Sequence, residues 1–278
     1  MTASITVLES IQDFKELGRL NSTIFGLGPE DQMPASELRF MTKIGGIGLL
    51  AHSDGQAVGF LYAVVGMYEG KPYLESVATG VLEPYRGQGI ERQIKIVERQ
   101  IALERGFDII RWSFSALRAP NARVFLSRLG GIAHSYGIDT FEGMGFGTRE
   151  GNVVIDEWYV EWHLRSQRVV KRLTGELPGR RLNRDVLITR THRREDGLLV
   201  LDGFEETFTE PRVLVEVPED VQTLIEYDEP LAIDWRMKTR DLFLGLLDQR
   251  YTFTECVSEI ADGQRRNFFL FERDYLLV

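Results

Sequence analysis

The sequence predicts an α/β protein, a mixed sheet with helices on both faces. Three features carry that expectation. Short apolar runs of strand length alternate with segments whose apolar residues recur three and four apart. Two of the runs flank Ser53-Asp54-Gly55-Gln56, whose Asp-Gly pair joins antiparallel strands. A third run, Val77–Val81, passes through a glycine-bearing loop directly into a helix.

In chain order, Ser4–Leu8 reads as a strand, Ile11–Leu20 as a helix, and Met33–Lys43 as a second helix with Pro34 in its first turn. Gly45–His52 and Ala57–Gly66 form the hairpin, and Tyr73–Val81 is the next strand. The turn signal Glu83-Pro84 ends it. A helix follows, with Ile90, Ile94, Val97 and Ile101 on one face and Gly106 as its C-terminal stop. Phe107–Phe114 reads as a strand, Pro120–Arg128 as a helix closed by Gly130-Gly131, and Ile132–Tyr136 and Val153–Trp162 as strands. The composition then changes near Ser166. Residues 166–210 are polar and arginine-rich, with turn signals at Pro178-Gly179 and Asp196-Gly197. Beyond them Arg212–Val217 is a strand, Leu231–Gln249 a helix, and Tyr251–Ile260 and Arg266–Phe271 a strand pair. The chain therefore divides into residues 1–165 and an α/β extension, 166–278, which is a small domain or a lid. The stripe Trp235, Lys238, Leu242 and Leu246 fits core packing or a lid. Trp158, Tyr159 and Trp162 fit core packing or a binding platform.

Composition bounds the function. The 278 residues are 43% hydrophobic, enough for a packed core, and the net charge is −9 with no basic stripe, so nucleic acid is not an expected partner. The arginine-rich segment Gly179–Glu195 is a solvated face or a local anion site. The single cysteine, Cys256, excludes an internal disulfide and a multi-thiolate metal site, and fits a reducing cytoplasm. The N-terminal segment lacks the apolar stretch of a signal peptide, and no apolar run reaches membrane-spanning length. His52, His134, His163 and His192 show no metal-binding spacing, so neither a metal nor a membrane is expected. Homo-oligomerisation stays open.

The most informative stretch is Ser76–Gln100. A strand, a loop holding Gly87 and Gly89, and an immediate helix aim backbone N–H groups and the positive end of a helix dipole at one spot, an anion site most often used for phosphate. The Walker A pattern is absent. The dinucleotide fingerprint fails because its third glycine falls at Arg92.

Arg86-Gly87-Gln88-Gly89-Ile90, preceded by Val81-Leu82-Glu83-Pro84-Tyr85, resembles the acyl-CoA loop of the GNAT N-acyltransferases. The order of elements is similar to the GNAT fold, a mixed, mostly antiparallel and splayed sheet. Further likeness lies at Phe25-Gly26, Met33-Pro34-Ala35, Gly45-Gly46, Val58-Gly59-Phe60, Gly80-Val81, Arg111-Trp112-Ser113-Phe114, Asn121-Ala122, Leu129-Gly130 and Glu161-Trp162. There the chain resembles a bacterial branch of predicted acyltransferases that includes N-succinyltransferase-like proteins. The likeness covers about Ile5 to Val169 and weakens beyond.

The resemblance implies an acyl-CoA-dependent N-acyltransferase. It would move an acetyl- or succinyl-like group from acetyl-CoA or another acyl-CoA to the primary amine of a small molecule such as an amino acid. The alternative is a non-catalytic acyl-CoA-sensing or protein-interaction module of the same fold. By the same resemblance, Arg86, Gly87, Gln88, Gly89, Ile90, Glu91 and Arg92 line the pyrophosphate, and Thr79, Gly80 and Val81 form the strand edge that pairs with pantetheine and gives an amide to the oxyanion. Asn121 is a cofactor contact or, equally, an N-cap. Glu75 is the candidate general base: even spacing puts Glu75, Val77, Thr79 and Val81 on one side of a strand, and burial would raise its pKa. Three departures stand out. Glu91 replaces a glycine or alanine and is tolerated if its side chain points outward. Arg128 replaces the tyrosine acid, for which Tyr136 is a nearby substitute. Ser115 and Asp156-Glu157 replace residues of the succinylating branch, which argues against a succinyl carboxylate.

Overall fold

The computed structural model describes residues 3–68, 70–138, 155–177, 186–261 and 263–277, without the side chain of residue 30. The described residues fall into two compact units, the first running up to Trp112 and the second from Ser113 onward.

The first unit holds β1 (Ser4–Val7), α1 (Ile11–Phe25), α2 (Ala35–Lys43), β2 (Ile47–Ser53), β3 (Gln56–Tyr68), β4 (Lys71–Val81), α3 (Ile90–Glu104) and the start of β5 (Ile109–Ser115), up to Trp112. β1 to β4 pair antiparallel in sequence order, and β5 joins β4 in parallel. Local chemistry explains the elements. Ser10 caps α1, its hydroxyl accepting from the Asp13 amide at 3.2 Å while Asp13 accepts from the Ser10 amide at 2.8 Å. Gly26, left-handed at φ 65°, stops that helix. Ser53 pairs with Gln56, and the intervening Asp54 and Gly55 both have positive φ, the tight hairpin that Asp-Gly predicts. Phe14, Leu17, Leu20 and Leu38 of the first two helices pack with Phe60 and Tyr62 on one sheet face. α3 covers the other, where Ile94 closes on Gly59: a Cβ there would lie 3.3 Å from the Ile94 side chain.

The second unit contains α4 (Ala119–Ala122), β6 (Ile132–Gly137), β7 (Glu157–His163), α5 (Gln167–Thr174), β8 (Thr189–Arg193), β9 (Leu199–Phe204), β10 (Arg212–Val217), α6 (Val221–Tyr227), α7 (Glu229–Asp248), β11 (Tyr251–Ala261) and β12 (Gln264–Arg273). Five of its strands lie in the order β7-β6-β11-β12-β10, all neighbours antiparallel, and β8–β9 is a separate hairpin. Trp158, Phe243, Phe253 and Phe271 pack with ring centroids 4.9–5.8 Å apart. The Trp162 indole donates to Leu129 O at 2.8 Å. Trp158 and Trp162 are therefore core residues, not a binding platform. Trp235, Leu242 and Leu246 are also core, while Lys238 leaves the stripe to donate to Leu201 O.

α5, α6 and the β8–β9 hairpin were not expected from the sequence. The arginine-rich segment is partly that hairpin: Arg193 donates to Gly197 O at 2.8 Å and Arg194 to Asp228 at 2.6 Å. Residues 179–185 of that segment, the Pro178-Gly179 turn and the expected strand start at Val153 lie outside the described residues.

Candidate functional site

β4 ends at Val81 and a short helical turn, Glu83–Tyr85, leads into the loop. Gly87 and Gly89 both take left-handed backbone, φ 75° and 81°, and a Cβ at either would meet nothing within 4 Å. Glycine is required here by conformation, not by crowding within the chain. The first bond of α3 runs from the Gln93 amide to Gly89 O at 3.1 Å. Ahead of it, the amides of Gly87 to Glu91 donate to no backbone acceptor among the described residues. The loop's two long side chains serve its own backbone: Arg86 Nε donates to Val81 O at 3.1 Å and Gln88 Nε2 to Pro84 O at 3.2 Å. The anion-directed surface is thus main chain, held open by Arg86 and Gln88.

Glu91 does not point outward. Its side chain is half-buried in the first turn of α3, and burial raises its carboxyl above the ordinary value, opposed by Lys95 and Arg86. A carboxyl pushed toward its neutral form repels an incoming anion less than the sequence alone implies.

The strand before the loop is not regular. Tyr62 pairs with Ala78 but Ala63 pairs with Ser76, so Val77 is an extra, unpaired residue, a β-bulge. The bulge resets the alternation. Glu75 pairs with Val64 and Thr79 with Leu61; those partners are three apart on β3 and lie on opposite faces. Glu75 therefore does not share a face with Thr79 and Val81, as even spacing had predicted. It lies on the face of Tyr62, where α1 and α2 pack, while Ser76, Thr79 and Val81 lie on the α3 face.

Glu75 is half-buried and burial raises its pKa, opposed by Arg111 and then Lys95, with Glu98 adding to the rise. Arg111 is its register partner on β5, and its guanidinium lies 4.1 Å from the Tyr68 ring centroid and 5.1 Å from that of Tyr73. Pairing of β4 with β5 is confined to Leu74↔Ile110 and Glu75↔Arg111. From Ser76 to Val81 the outer edge of β4 pairs with no strand among the described residues. Gly80 has a packing reason of its own: a Cβ there would come within 3.0 Å of Ile24 and Phe60.

Asn121, in the second unit, is not an N-cap. It lies inside α4, and Arg118 holds the cap position without a side-chain bond. α4 continues as a wider π-type turn over Arg123–Arg128. Arg128 is exposed. Tyr136 is committed elsewhere: it donates to Asp156 Oδ2 at 3.0 Å, and burial with that carboxylate raises its phenol well above the usual range. Its hydroxyl proton is held in that bond.

Sequence reasoning missed Lys95 and Glu98. The buried face of α3 is Ile90, Ile94, Lys95, Glu98 and Ala102, while Val97 and Ile101 are half-buried. Lys95 Nζ donates to Ser76 Oγ at 2.7 Å, lies 3.1 Å from Glu98 Oε2 and stands 4.1 Å from the Trp112 ring centroid. Neither Glu98 oxygen receives a hydrogen bond among the described residues. The available signal was an oppositely charged pair, three apart, directly after Ile94 and on its side of the helix.

No family model and no curated protein matches the sequence. Solved structures do. A GNAT-family protein of Desulfovibrio desulfuricans is 16% identical over 59% of this chain and 99% of its own, with a TM-score of 0.47. An IAA acetyltransferase of Bacillus cereus is 12% identical over 58% and 98%, TM-score 0.44. An aminoglycoside acetyltransferase from an uncultured soil metagenome, solved with trehalose, is 21% identical over 40% and 76%, TM-score 0.36. Among the described residues there is no acidic, histidine or cysteine group suited to a metal, and no helix long and apolar enough to cross a membrane.

Proposed function

We propose that the protein is an acyl-CoA-dependent N-acyltransferase acting on the primary amine of a small molecule, with residues 1–165 as the acyl-CoA-binding domain. One observation carries the reading: a left-handed two-glycine loop presents, at a helix N-terminus, amides that donate to no backbone acceptor among the described residues, directly after a strand whose outer edge beyond Glu75 pairs with no described strand and whose Glu75 is desolvated. The amides of Gly87 to Arg92 would take the pyrophosphate. The edge at Thr79–Val81 would take the pantetheine arm and the thioester oxygen.

The chemistry asks little more. An ammonium must first lose a proton, and Glu75, raised toward neutral pH by burial, is suited to accept it directly or through water. The amine nitrogen then attacks the thioester carbonyl, the C–S bond breaks and CoA leaves as a thiolate, and the second proton shed by the nitrogen passes to that thiolate or to solvent, so no strong acid is needed. The absence of a tyrosine at Arg128 is compatible with that leaving group. The same Arg128 favours the second reading, a non-catalytic acyl-CoA sensor. Acetyl is the simplest acyl group for the site. A succinyl donor would want a cation for its second carboxylate, and Asp156, where the succinylating branch has its Asp-Arg pair, is tied to Arg240.

Thiol release from a panel of acyl-CoAs and small amines tests the proposal. Amine-dependent release that Glu75→Gln lowers by roughly 10²–10⁴ supports the enzyme. CoA binding without release from any pair supports the sensor.

A further inference from the structure

α3 begins at the anion loop, and β4 carries Glu75 into the bulge at Val77. These two elements meet at a polar contact that neither fold stability nor loop geometry demands. Lys95 is 1% exposed and Glu98 0%. A buried ion pair is replaceable by apolar side chains of similar volume at little or no cost, so its presence needs another reason. Its placement supplies one. Lys95 stands one helical turn beyond Glu91, and its ammonium binds Ser76, the residue immediately before the bulge. A bulge interrupts the strand ladder and leaves its extra residue unpaired, so the ladder holds the strand less firmly there than on either side. Apolar contact with α3 would not fix its position. A directional bond at 2.7 Å does, and the indole of Trp112 beneath the ammonium restricts it further.

We propose that Lys95 is a positioning residue, which pins the bulge of β4 to α3 so that the anion loop and Glu75 are held in one fixed spacing. The proposal rests on the acyl-transfer reading above. Glu98 holds the Lys95 ammonium from the helix side. Glu75 is the register partner of Arg111 on β5, whose guanidinium lies over the rings of Tyr68 and Tyr73, and it feels the charges of Arg111 and then of Lys95 and Glu98 on α3. The two members of the pin therefore also act on the base with opposite signs, Lys95 lowering and Glu98 raising its pKa, after burial and Arg111.

Three variants and one control test this: Ser76→Ala, Lys95→Met, Glu98→Gln, and Lys95→Met combined with Glu98→Gln, which removes both charges and keeps a packed interior if a single change fails to fold. CoA affinity is read by calorimetry, the titration of Glu75 by carbon NMR of labelled glutamate, and acyl transfer by its pH–rate profile. Ser76→Ala should leave CoA affinity unchanged and lower kcat by about tenfold, as a small misplacement does. Lys95→Met should raise the Glu75 titration point by about half a pH unit and Glu98→Gln should lower it by a similar amount. The double variant should restore the titration point but not kcat. Identical Glu75 titrations in all variants, or a kcat loss that follows CoA affinity, would overturn the pin. Binding and titration need no turnover, so a wild-type protein that binds CoA and transfers nothing refutes the acyltransferase alone and leaves the pin to be decided by the Glu75 shifts.

Discussion

Each unit of this molecule buries carboxylates completely, and they are treated in different ways. In the second unit Asp156 accepts two bonds from Arg240, both at 2.8 Å, and a third from Tyr136 at 3.0 Å. Glu216 likewise takes two bonds at 2.6 Å from Arg266 and one from Thr191. In the first unit Glu98 has the Lys95 ammonium at 3.1 Å and no hydrogen bond to either oxygen, and Glu75 and Glu91 are desolvated with pKa values raised. Saturation of this kind makes Asp156 and Glu216 rigid. Glu75, Glu91 and Glu98 have no such bidentate partner among the described residues and lie around the loop and the bulge, where the proposed function needs groups that can change protonation or partner.

Removing one partner from each region should expose the difference. Lys95→Met leaves Glu98 buried without its counter-charge and should cost about 3–5 kcal/mol in urea unfolding. Arg240→Met removes two bonds to Asp156, leaves the Tyr136 hydroxyl among its remaining partners, and should cost less, about 2–3 kcal/mol. Equal losses would erase the contrast. Tyr136→Phe removes a single bond from the saturated network and should cost about 1 kcal/mol without changing acyl transfer; a loss of turnover would return Tyr136 to the chemistry.

The pH dependence of stability should differ between the regions as well. Burial raises Glu91 above its ordinary 4.5, so its contribution is fully present below that value and is lost as pH rises through the raised one. Glu91→Gln should therefore unfold at a higher temperature than wild type near neutral pH, and the gap should close below pH 4.5. A gap that persists in acid would mean that packing, not ionisation, is responsible. The smallest effect belongs to Cys256, buried in the second unit and pushed up to about 12 by burial. It should resist iodoacetamide in the native protein and react on unfolding; rapid native labelling would show that this unit opens.

What the sequence revealed follows the same division. The anion loop was legible because Gly87 and Gly89 must adopt positive φ, and conformational demands write themselves into residue type. The Asp54-Gly55 hairpin was legible for the same reason. The bulge at Val77 was not, since nothing in Ser76-Val77-Ala78 marks an extra residue, and it moved Glu75 to the other face from Thr79. Lys95 and Glu98 escaped notice because charged residues read as solvent-facing until a partner is known. α5 was missed for a related reason. Its buried face is Arg168, Val169 and Arg172, with Arg168 donating to Gly130 O and Arg172 paired with Glu255, so hydropathy saw only a polar segment.

The proposed placement of acyl-CoA on the main chain of Gly87 to Arg92 is tested most directly by calorimetry with CoA on wild type and Gly89→Asp. Aspartate tolerates the left-handed backbone of Gly89 better than most residues and places a carboxylate among the amides. The account predicts binding to wild type and affinity weaker by on the order of a hundredfold in the variant, about 2.7 kcal/mol, with an unchanged circular dichroism spectrum. Equal affinity in the two folded proteins, or no binding to wild type, would contradict it.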